Sequence, residues 1–285
     1  MHEKLNMDKR RKNTITKFLI TVIMLIIGIY FLYPLFWMLS ASLKLPAMVF
    51  EYPIRWLPKT PRFSNYSEVW FNSTNPFYLF YLNSLKVTFL TIAGVLILCS
   101  SSAYAFAKMN FPGKNFIFML FLSTMMIPTQ VTLLPRYALF QLLNLYNTHW
   151  ALILPSLFYV VGIFLLRQFY YSIPNELIEA STIDGASHFL IFPVIILPLS
   201  KPAMVSLVIL KFVSSWNDYM DPLIFLVSSK LFTIPLGMQI YMDAEGQQLQ
   251  LVMAAAALNI VPIVLLFMFL QKYFIQGIAT SGLKN

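Results

Sequence analysis

The chain has 285 residues, of which 59% are hydrophobic and only 11% are charged. A soluble globular domain carries about 25% charged residues, so this composition excludes an ordinary soluble domain and predicts a membrane protein. The formal net charge is +9 and includes a tight basic cluster at residues 9–12. We interpret this cluster as holding the N-terminus in the cytoplasm, and not as a nucleic-acid site.

Six apolar stretches each come near the ~20 residues that a helix needs to cross a bilayer. The first has no charge from Phe18 to Leu43, which is too long for the apolar region of a signal peptide, so we expect a retained span. We predict an all-α, polytopic protein with a basic N-terminal segment at 1–17 and a single transmembrane domain at 18–285. The predicted spans lie at about 18–40, 84–106, 115–134, 149–168, 202–222 and 251–271.

Lysine and arginine are more frequent in the segments that this order of spans places inside, so both termini are predicted to be cytoplasmic. Residues 43–80 then form a long outer segment that is rich in proline and aromatic residues. Two interpretations of this segment stay open, an interfacial cap on the helix bundle and a docking surface for an extracytoplasmic partner. Residues 223–250 form a second long outer loop.

A polar island lies between two long apolar segments, at residues 176–186. Such a polar loop must lie in water. Pro174 and Glu176 suit the first turn of a helix, and Gly185 suits its end. We therefore predict a short helix-turn-helix on the membrane surface that is offered to a soluble partner.

The sequence lacks the common motifs of nucleotide-binding and metal-binding proteins. Gly113 and Lys114 are followed by Asn115 and have no upstream glycine at the spacing of a phosphate-binding P-loop, so no ATP site of that kind is present. One cysteine and three scattered histidines make no metal-binding pattern. We predict that the chain is not an enzyme and uses no cofactor or metal.

The polar island carries a specific resemblance. Residues 179–186 read Glu-Ala-Ser-x-x-Asp-Gly-Ala, and Ile-Leu-Pro follows at 196–198. This combination resembles the EAA loop in the integral-membrane subunits of ABC importers. Ser181 departs from the family, which usually has a second alanine there, but serine is small enough to pack at the same place.

Three further motifs resemble the carbohydrate-type branch of these permeases, specifically the shorter, six-span partner of the maltose and multiple-sugar importers. Ser-Trp-Asn-Asp-Tyr at 215–219 resembles the fifth-helix motif, and Asn-Thr-His-Trp-Ala at 147–151 resembles the start of the fourth helix. Gln-Lys-Tyr-Phe-x-x-Gly at 271–277 resembles the C-terminal tail. Lys211 is a departure, because the family usually has an apolar residue at that place.

The resemblance implies the ABC importer type I permease fold in a bacterial-type cytoplasmic membrane. It also implies a complex with a second permease subunit, two ATP-binding subunits and an extracytoplasmic solute-binding protein, which together import a sugar or oligosaccharide. The EAA coupling loop would span 172–200 and transmit the work of the ATPase. The residues expected to carry this contact are Glu179, Ala180, Ser181, Asp184, Gly185 and Ala186.

The fifth predicted span contains an aligned set of polar residues, because spacings of three, four and seven keep side chains on one face of a helix. Polar groups at membrane depth face protein or water, since exposure to lipid is costly. We predict that this face lines the solute pathway, with a structural role for Asp218 equally open. The set comprises Lys211, Ser214, Ser215 and Asp218.

Two other classes of protein were weighed against the importer. A secondary, ion-coupled transporter would carry its own ion site and, usually, internal repeats with broken helices, and no repeat is evident in this sequence. A membrane scaffold would not need an EAA-like loop. Neither the transported sugar nor the residues that contact it follow from the sequence.

Overall fold

The computed structural model describes the backbone of residues 2–245 and 248–282, and side chains at 15–239, 242 and 248–272. The described part is helical and contains no strand. Its α-helices are α1 (His2–Ser42), α2 (Ser64–Trp70), α3 (Phe77–Lys108), α4 (Lys114–Thr124), α5 (Thr129–Leu142), α6 (Trp150–Leu157), α7 (Val160–Tyr171), α8 (Glu176–Ile183), α9 (His188–Ile191), α10 (Leu197–Leu199), α11 (Lys201–Trp216), α12 (Met220–Phe225), α13 (Ile234–Glu245) and α14 (Leu249–Gly282). The side chains of the basic cluster at 9–12, and most of the C-terminal motif, lie outside the described residues.

Four helical segments of the described chain are long and apolar enough to cross a membrane, and two bent pairs of helices raise the number to six if each pair is one span. The four segments are Ile15–Ser42, Phe77–Lys108, Trp150–Tyr171 and Leu249–Lys272. The prediction of an all-α, polytopic membrane protein is confirmed.

The third predicted span, 115–134, is not one straight helix. α4 and α5 meet at an angle of 94°. Pro128 immediately precedes α5 and is in an extended conformation, with ψ of 133°. A residue before a proline avoids the α conformation, and proline itself cannot donate a hydrogen bond, so the helix breaks before Pro128.

The fifth predicted span, 202–222, is also different in the structure. Its long helix is α11, which ends at Trp216, and the stretch His188–Leu199 precedes it at an angle of 77°. Pro202 sits in the first turn of α11, where a missing N–H costs nothing because that N–H has no intrahelical partner. The first turn of α11 therefore tolerates the proline, and the chain changes direction at Ser200.

The chain divides into two compact units, of which the larger comprises Phe71–Tyr241 and Asn259–Asn285. In this unit α3 packs against α6, α7 and α11. Gly162 in α7 lies at a close approach of these helices, because a Cβ at that position would lie 2.7 Å from Leu207, 2.8 Å from Tyr159 and 3.1 Å from Sγ of Cys99. Buried apolar residues of α3, α7 and α11 surround this point and form the core.

The smaller unit comprises Met1–Trp70 and Met242–Leu258. In this unit the predicted outer segment folds back onto the end of α1. Asn65 Nδ2 donates hydrogen bonds to the carbonyl oxygens of Ser42 (2.8 Å) and Lys44 (3.0 Å). The ring of Trp56 packs edge-on against Tyr33 of α1, with 4.9 Å between centroids. These contacts hold the middle of this segment against α1.

Candidate functional site

The polar island folds as a helix-turn-helix, in which α8 and α9 are joined by residues 184–187. Gly185 has a positive φ of 87°, and two hydrogen bonds close the turn. The N–H of Gly185 donates to the carbonyl of Thr182 at 3.0 Å, and the N–H of Ala186 donates to the carbonyl of Ser181 at 2.9 Å. This is a Schellman motif, which ends a helix with a left-handed residue, usually glycine.

The outward side of this helix-turn-helix combines charged, small and apolar side chains. Glu179, Ala180 and Asp184 are exposed, and Ser181 and Ala186 are half-buried. Two large apolar side chains lie beside them, since Ile183 is 86% exposed and Phe189 is 94% exposed. Exposed large apolar residues on one surface are typical of a contact with another protein or with the membrane. The structure thus brings the predicted coupling residues together on the helix-turn-helix of α8, residues 184–187 and α9, which we call the knob. Ile183 and Phe189 form its apolar tip, which the sequence alone did not single out.

The inward side of the knob is part of the protein core. Ile178 of α8 and Ile191 of α9 are both buried in the cluster formed by α3, α7 and α11. Ser181 does not disturb the helix, because its hydroxyl donates to the carbonyl of Leu177 at 2.7 Å. A movement of the knob must therefore displace core side chains, since close-packed interiors transmit strain.

Basic and aromatic side chains anchor the knob to the C-terminal end of α3. Lys108 Nζ donates to the carbonyl of Ile173 and to Oδ1 of Asn175, both at 2.6 Å. The hydroxyl of Tyr104 lies 2.7 Å from Nδ1 of His188. The sequence did not predict these contacts, because the partners of Lys108 and Tyr104 lie more than 60 positions away in the chain.

Arg167 of α7 braces the same end of the bundle. Its guanidinium lies 3.8 Å from the ring centroid of Phe118 and 4.7 Å from that of Tyr171, and its Nε donates to the carbonyl of Phe106 at 3.3 Å. A cation over an aromatic face is attracted by the ring quadrupole. Arg167 therefore joins α3, α4 and α7 next to the knob.

The predicted pathway residues of the fifth span occupy different environments. Lys211 is only 5% exposed, and its Nζ lies 4.8 Å from the ring centroid of Tyr159, at the break between α6 and α7. Ser214 is exposed and Ser215 is half-buried. Asp218 lies beyond the end of α11 at Trp216, so the helical alignment holds for the first three residues and not for Asp218.

Trp216, the second residue of the motif at 215–219, is a packing residue. It is fully buried, its ring stacks on Phe212 at 5.4 Å, and its Nε1 donates to Oδ1 of Asn259 at 2.8 Å. The ring also meets Tyr81 of α3 edge-on at 5.6 Å. The motif therefore ties α11 to α3 and to the C-terminal part of α14.

A second group of polar contacts holds residues 225–234, at the end of α3 opposite to the knob. Asn147 Oδ1 accepts hydrogen bonds from the N–H groups of Val227 and Ser228, both at 2.9 Å. Asn83 Nδ2 donates to the carbonyl of Lys230 at 2.9 Å and to that of Phe232 at 3.0 Å. The motif at 147–151, which the sequence indicated only by resemblance, thus begins with a residue that fixes this loop.

An ion pair lies at the same end of the larger unit. Arg136 of α5 donates two hydrogen bonds to Asp221 of α12, Nη1 to Oδ2 at 3.0 Å and Nη2 to Oδ1 at 2.7 Å. The sequence did not predict this pair, whose members lie 85 positions apart.

Comparison with known proteins places this fold in a family. The family model described as binding-protein-dependent transport system inner membrane component matches residues 7–280. The chain is similar over 93% of its length, at 25% identity and a TM-score of 0.79, to 98% of a chain in the crystal structure of a bacterial ABC transporter involved in the import of the acidic polysaccharide alginate.

Individual relatives agree with the family model. The arabinooligosaccharides transport system permease protein AraQ of Halalkalibacterium halodurans is 32% identical over 279 residues, which are 97% of this chain and 100% of the relative. The probable ABC transporter permease protein YurM of Bacillus subtilis is 35% identical over 97% of this chain and 91% of its own length. The sn-glycerol-3-phosphate transport system permease protein UgpE of Yersinia pestis is 33% identical over 91% of this chain and 95% of its own length. Since family model, relatives and solved structure each cover most of the chain, this protein belongs to the family of binding-protein-dependent transport system inner membrane components and has the fold of an ABC importer permease.

Proposed function

We propose that the chain is a permease subunit of an ATP-driven, binding-protein-dependent importer of a sugar or oligosaccharide. It forms the solute pathway with a second permease chain, and two ATP-binding subunits and an extracytoplasmic solute-binding protein complete the complex. The similarity to permeases named for arabinooligosaccharides and to a transporter that imports alginate supports a saccharide. The ATPase is a separate subunit, because this sequence has no P-loop.

The observation that carries this proposal is the knob formed by α8 and α9. A permease without an ATP site must receive mechanical work through a contact that is both exposed and rigid. The knob is exposed at Glu179, Ile183 and Phe189, and it is rigid because Ile178 and Ile191 are buried in the core. The ATPase would cover the apolar tip, and Glu179 would bind a basic or amide group in the docking pocket.

In this proposal ATP binding closes the ATPase subunits, and their docking pockets pull the knob. The movement reaches α3 through Lys108 and Tyr104, whose partners lie in or next to α8 and α9. The bundle then changes between inward-open and outward-open states, and hydrolysis resets it. Lys211, Ser214, Ser215 and Asp218 line or directly support the solute pathway, where hydroxyl and charged groups can bind saccharide hydroxyls.

The proposed orientation places both termini and the knob in the cytoplasm of a bacterial cell, with the protein in the cytoplasmic membrane. Lys108, Lys114 and Arg167 cluster near the knob, as the excess of basic residues on the cytoplasmic side of membrane proteins leads one to expect. Each of the two bent helix pairs is then one broken span.

The docking claim is tested by crosslinking in the assembled complex. Ala180→Cys, in a background of Cys99→Ala, is expected to crosslink to the ATPase, whereas Leu143→Cys, an exposed position beyond the end of α5, is expected not to. If Ala180→Cys instead reacts freely with a water-soluble maleimide in the assembled complex, the knob is not the ATPase contact.

A further inference from the structure

The ion pair between Arg136 and Asp221 joins two short helices that each follow an interruption of helical structure. α5 follows the 94° bend after α4, and α12 follows the end of α11 at Trp216, after three non-helical residues. Both side chains are mostly enclosed, with 23% of Arg136 and 22% of Asp221 exposed. Two parallel hydrogen bonds from one guanidinium define the orientation of a carboxylate as well as its distance.

The face of α5 that carries Arg136 contacts α12 along its length. The guanidinium of Arg136 lies 5.2 Å from the ring centroid of Phe225, the last residue of α12, while Asp221 lies in the first turn of α12. Phe140, one turn after Arg136 on the same face of α5, packs on the ring of Phe225 with 5.2 Å between centroids. Arg136 thus contacts both ends of α12, and Phe140 adds an apolar contact.

Asp221 in turn belongs to the segment that holds Asp218. The backbone N–H of Asp221 donates to Oδ1 of Asp218 at 3.4 Å. Displacement of α12 from α5 therefore changes the position of Asp218, the proposed pathway residue nearest to α12.

We propose that Arg136 is a positioning residue for transport, which holds α5 against α12 so that these two helices move together during the transport cycle. The proposal rests on the proposed import function. Non-helical residues separate each helix from the helix before it, 125–128 before α5 and 217–219 before α12, and the two-point ion pair holds the two helices together. Without the ion pair, ATP hydrolysis would continue, but the solute pathway would no longer open and close in step with it, so less solute would be transported per ATP. Arg136 need not touch the solute.

The test uses the complete importer reconstituted in proteoliposomes with its binding protein, and measures saccharide uptake and ATP hydrolysis in the same vesicles. Arg136→Gln is expected to raise the number of ATP molecules hydrolysed per solute transported by about tenfold, since removal of one partner of an enclosed pair leaves the other charge uncompensated. Arg136→Lys should lie between this variant and the wild type, because lysine keeps the charge but not the two-pronged geometry.

A charge swap separates positioning from simple loss of a residue. Arg136→Asp combined with Asp221→Arg restores the attraction and should return the ratio to within about threefold of the wild type, because two residues in direct contact are energetically coupled. The matched control is Arg55→Gln, which removes an arginine from the exposed pair with Glu51, 3.7 Å apart. An exposed pair contributes little, so the control should keep the wild-type ratio.

The alternative outcome is a structural role. If Arg136→Gln lowers uptake and ATP hydrolysis in parallel, or leaves both unchanged, the proposal is overturned. If the single variants fail to assemble, Arg136→Met with Asp221→Leu removes both charges together, a replacement that often preserves folding. That double variant should assemble and show the raised ratio, and a wild-type ratio in it would overturn the proposal. Absence of saccharide uptake by the wild-type complex would instead contradict the proposed function.

Discussion

Lys108 Nζ donates a hydrogen bond of 2.6 Å to Oδ1 of Asn175, so that the last residue of α3 contacts the residue immediately before α8. The same ammonium group donates to the carbonyl of Ile173 at 2.6 Å. These two contacts bind the start of the knob to the helix that packs against α6, α7 and α11. A force on the knob therefore has a short route into the core.

We expect Lys108→Met to loosen the knob without unfolding the bundle. Methionine keeps the apolar stem and loses both hydrogen bonds. A hydrogen bond to a charged group contributes roughly 1.5–3 kcal/mol, but the bond to Asn175 is exposed, so water replaces much of the loss. Amide hydrogen exchange in residues 175–183 of the assembled complex should accelerate about tenfold, which corresponds to ~1.4 kcal/mol of lost local stability, and uptake should fall with it. Lys17→Met, at an exposed position of α1, is the control, and unchanged exchange in Lys108→Met would contradict the anchoring role.

A substitution of Gly185 tests the backbone conformation of the turn and not steric crowding, because a Cβ at this position would meet nothing within 4 Å. A left-handed residue with a side chain costs roughly 1–2 kcal/mol, and asparagine tolerates this conformation best. Gly185→Val should therefore abolish uptake while membrane insertion stays intact, and Gly185→Asn should keep most of it.

The matched control for Gly185 is Gly28→Val, where a Cβ likewise meets nothing within 4 Å and φ is not positive. Measurement of uptake together with the amount of assembled complex separates coupling from insertion. Equal uptake in Gly185→Val and in Gly28→Val would contradict the importance of the turn.

Substitutions of Ser214 and Lys211 test whether this face of α11 lines the solute pathway. Ser214→Cys in a Cys99→Ala background should react with a small water-soluble reagent, and substrate or a trapped nucleotide state should change its rate, because Ser214 is exposed. Lys211→Leu should alter the transport rate or substrate preference more than assembly, since leucine fills a similar volume at this buried position beside Tyr159. An inert Ser214→Cys in every state, together with normal transport by Lys211→Leu, would show that this face is only a helix contact.

Membrane topology is tested with reporter fusions that fluoresce only in the cytoplasm. Fusions after Lys12, after Lys114, near Ser187 and at Asn285 should be bright, and fusions near Pro61 and Gly246 should be dark. The fusion near Ser187 is decisive, because four crossings and six crossings both return the C-terminus to the cytoplasm. Only six crossings also place Ser187 there, so a dark fusion at this position would mean that the bent third segment does not cross.

Several features of this protein follow from its sequence because they depend on local properties of the chain. The length of an apolar stretch is set by bilayer thickness, so the six hydrophobic segments could be recognised without a structure. The turn at Gly185 was predictable for the same reason, since glycine at the end of a short polar helix is favoured by backbone sterics alone. The resemblance at 179–186 likewise needs only the order of residues, and it led to the family that the comparisons support.

Tertiary structure decided how these pieces are arranged. Local patterns placed Asp218 on a helical face with Lys211, but α11 ends at Trp216, where the tryptophan ring is held by Phe212 and Asn259. The anchors of the knob and the pair between Arg136 and Asp221 join residues 65 to 85 positions apart. No local propensity encodes such pairs, because an enclosed charge or amide requires a partner but does not specify one, and the packing of the helices determines which partner comes within reach.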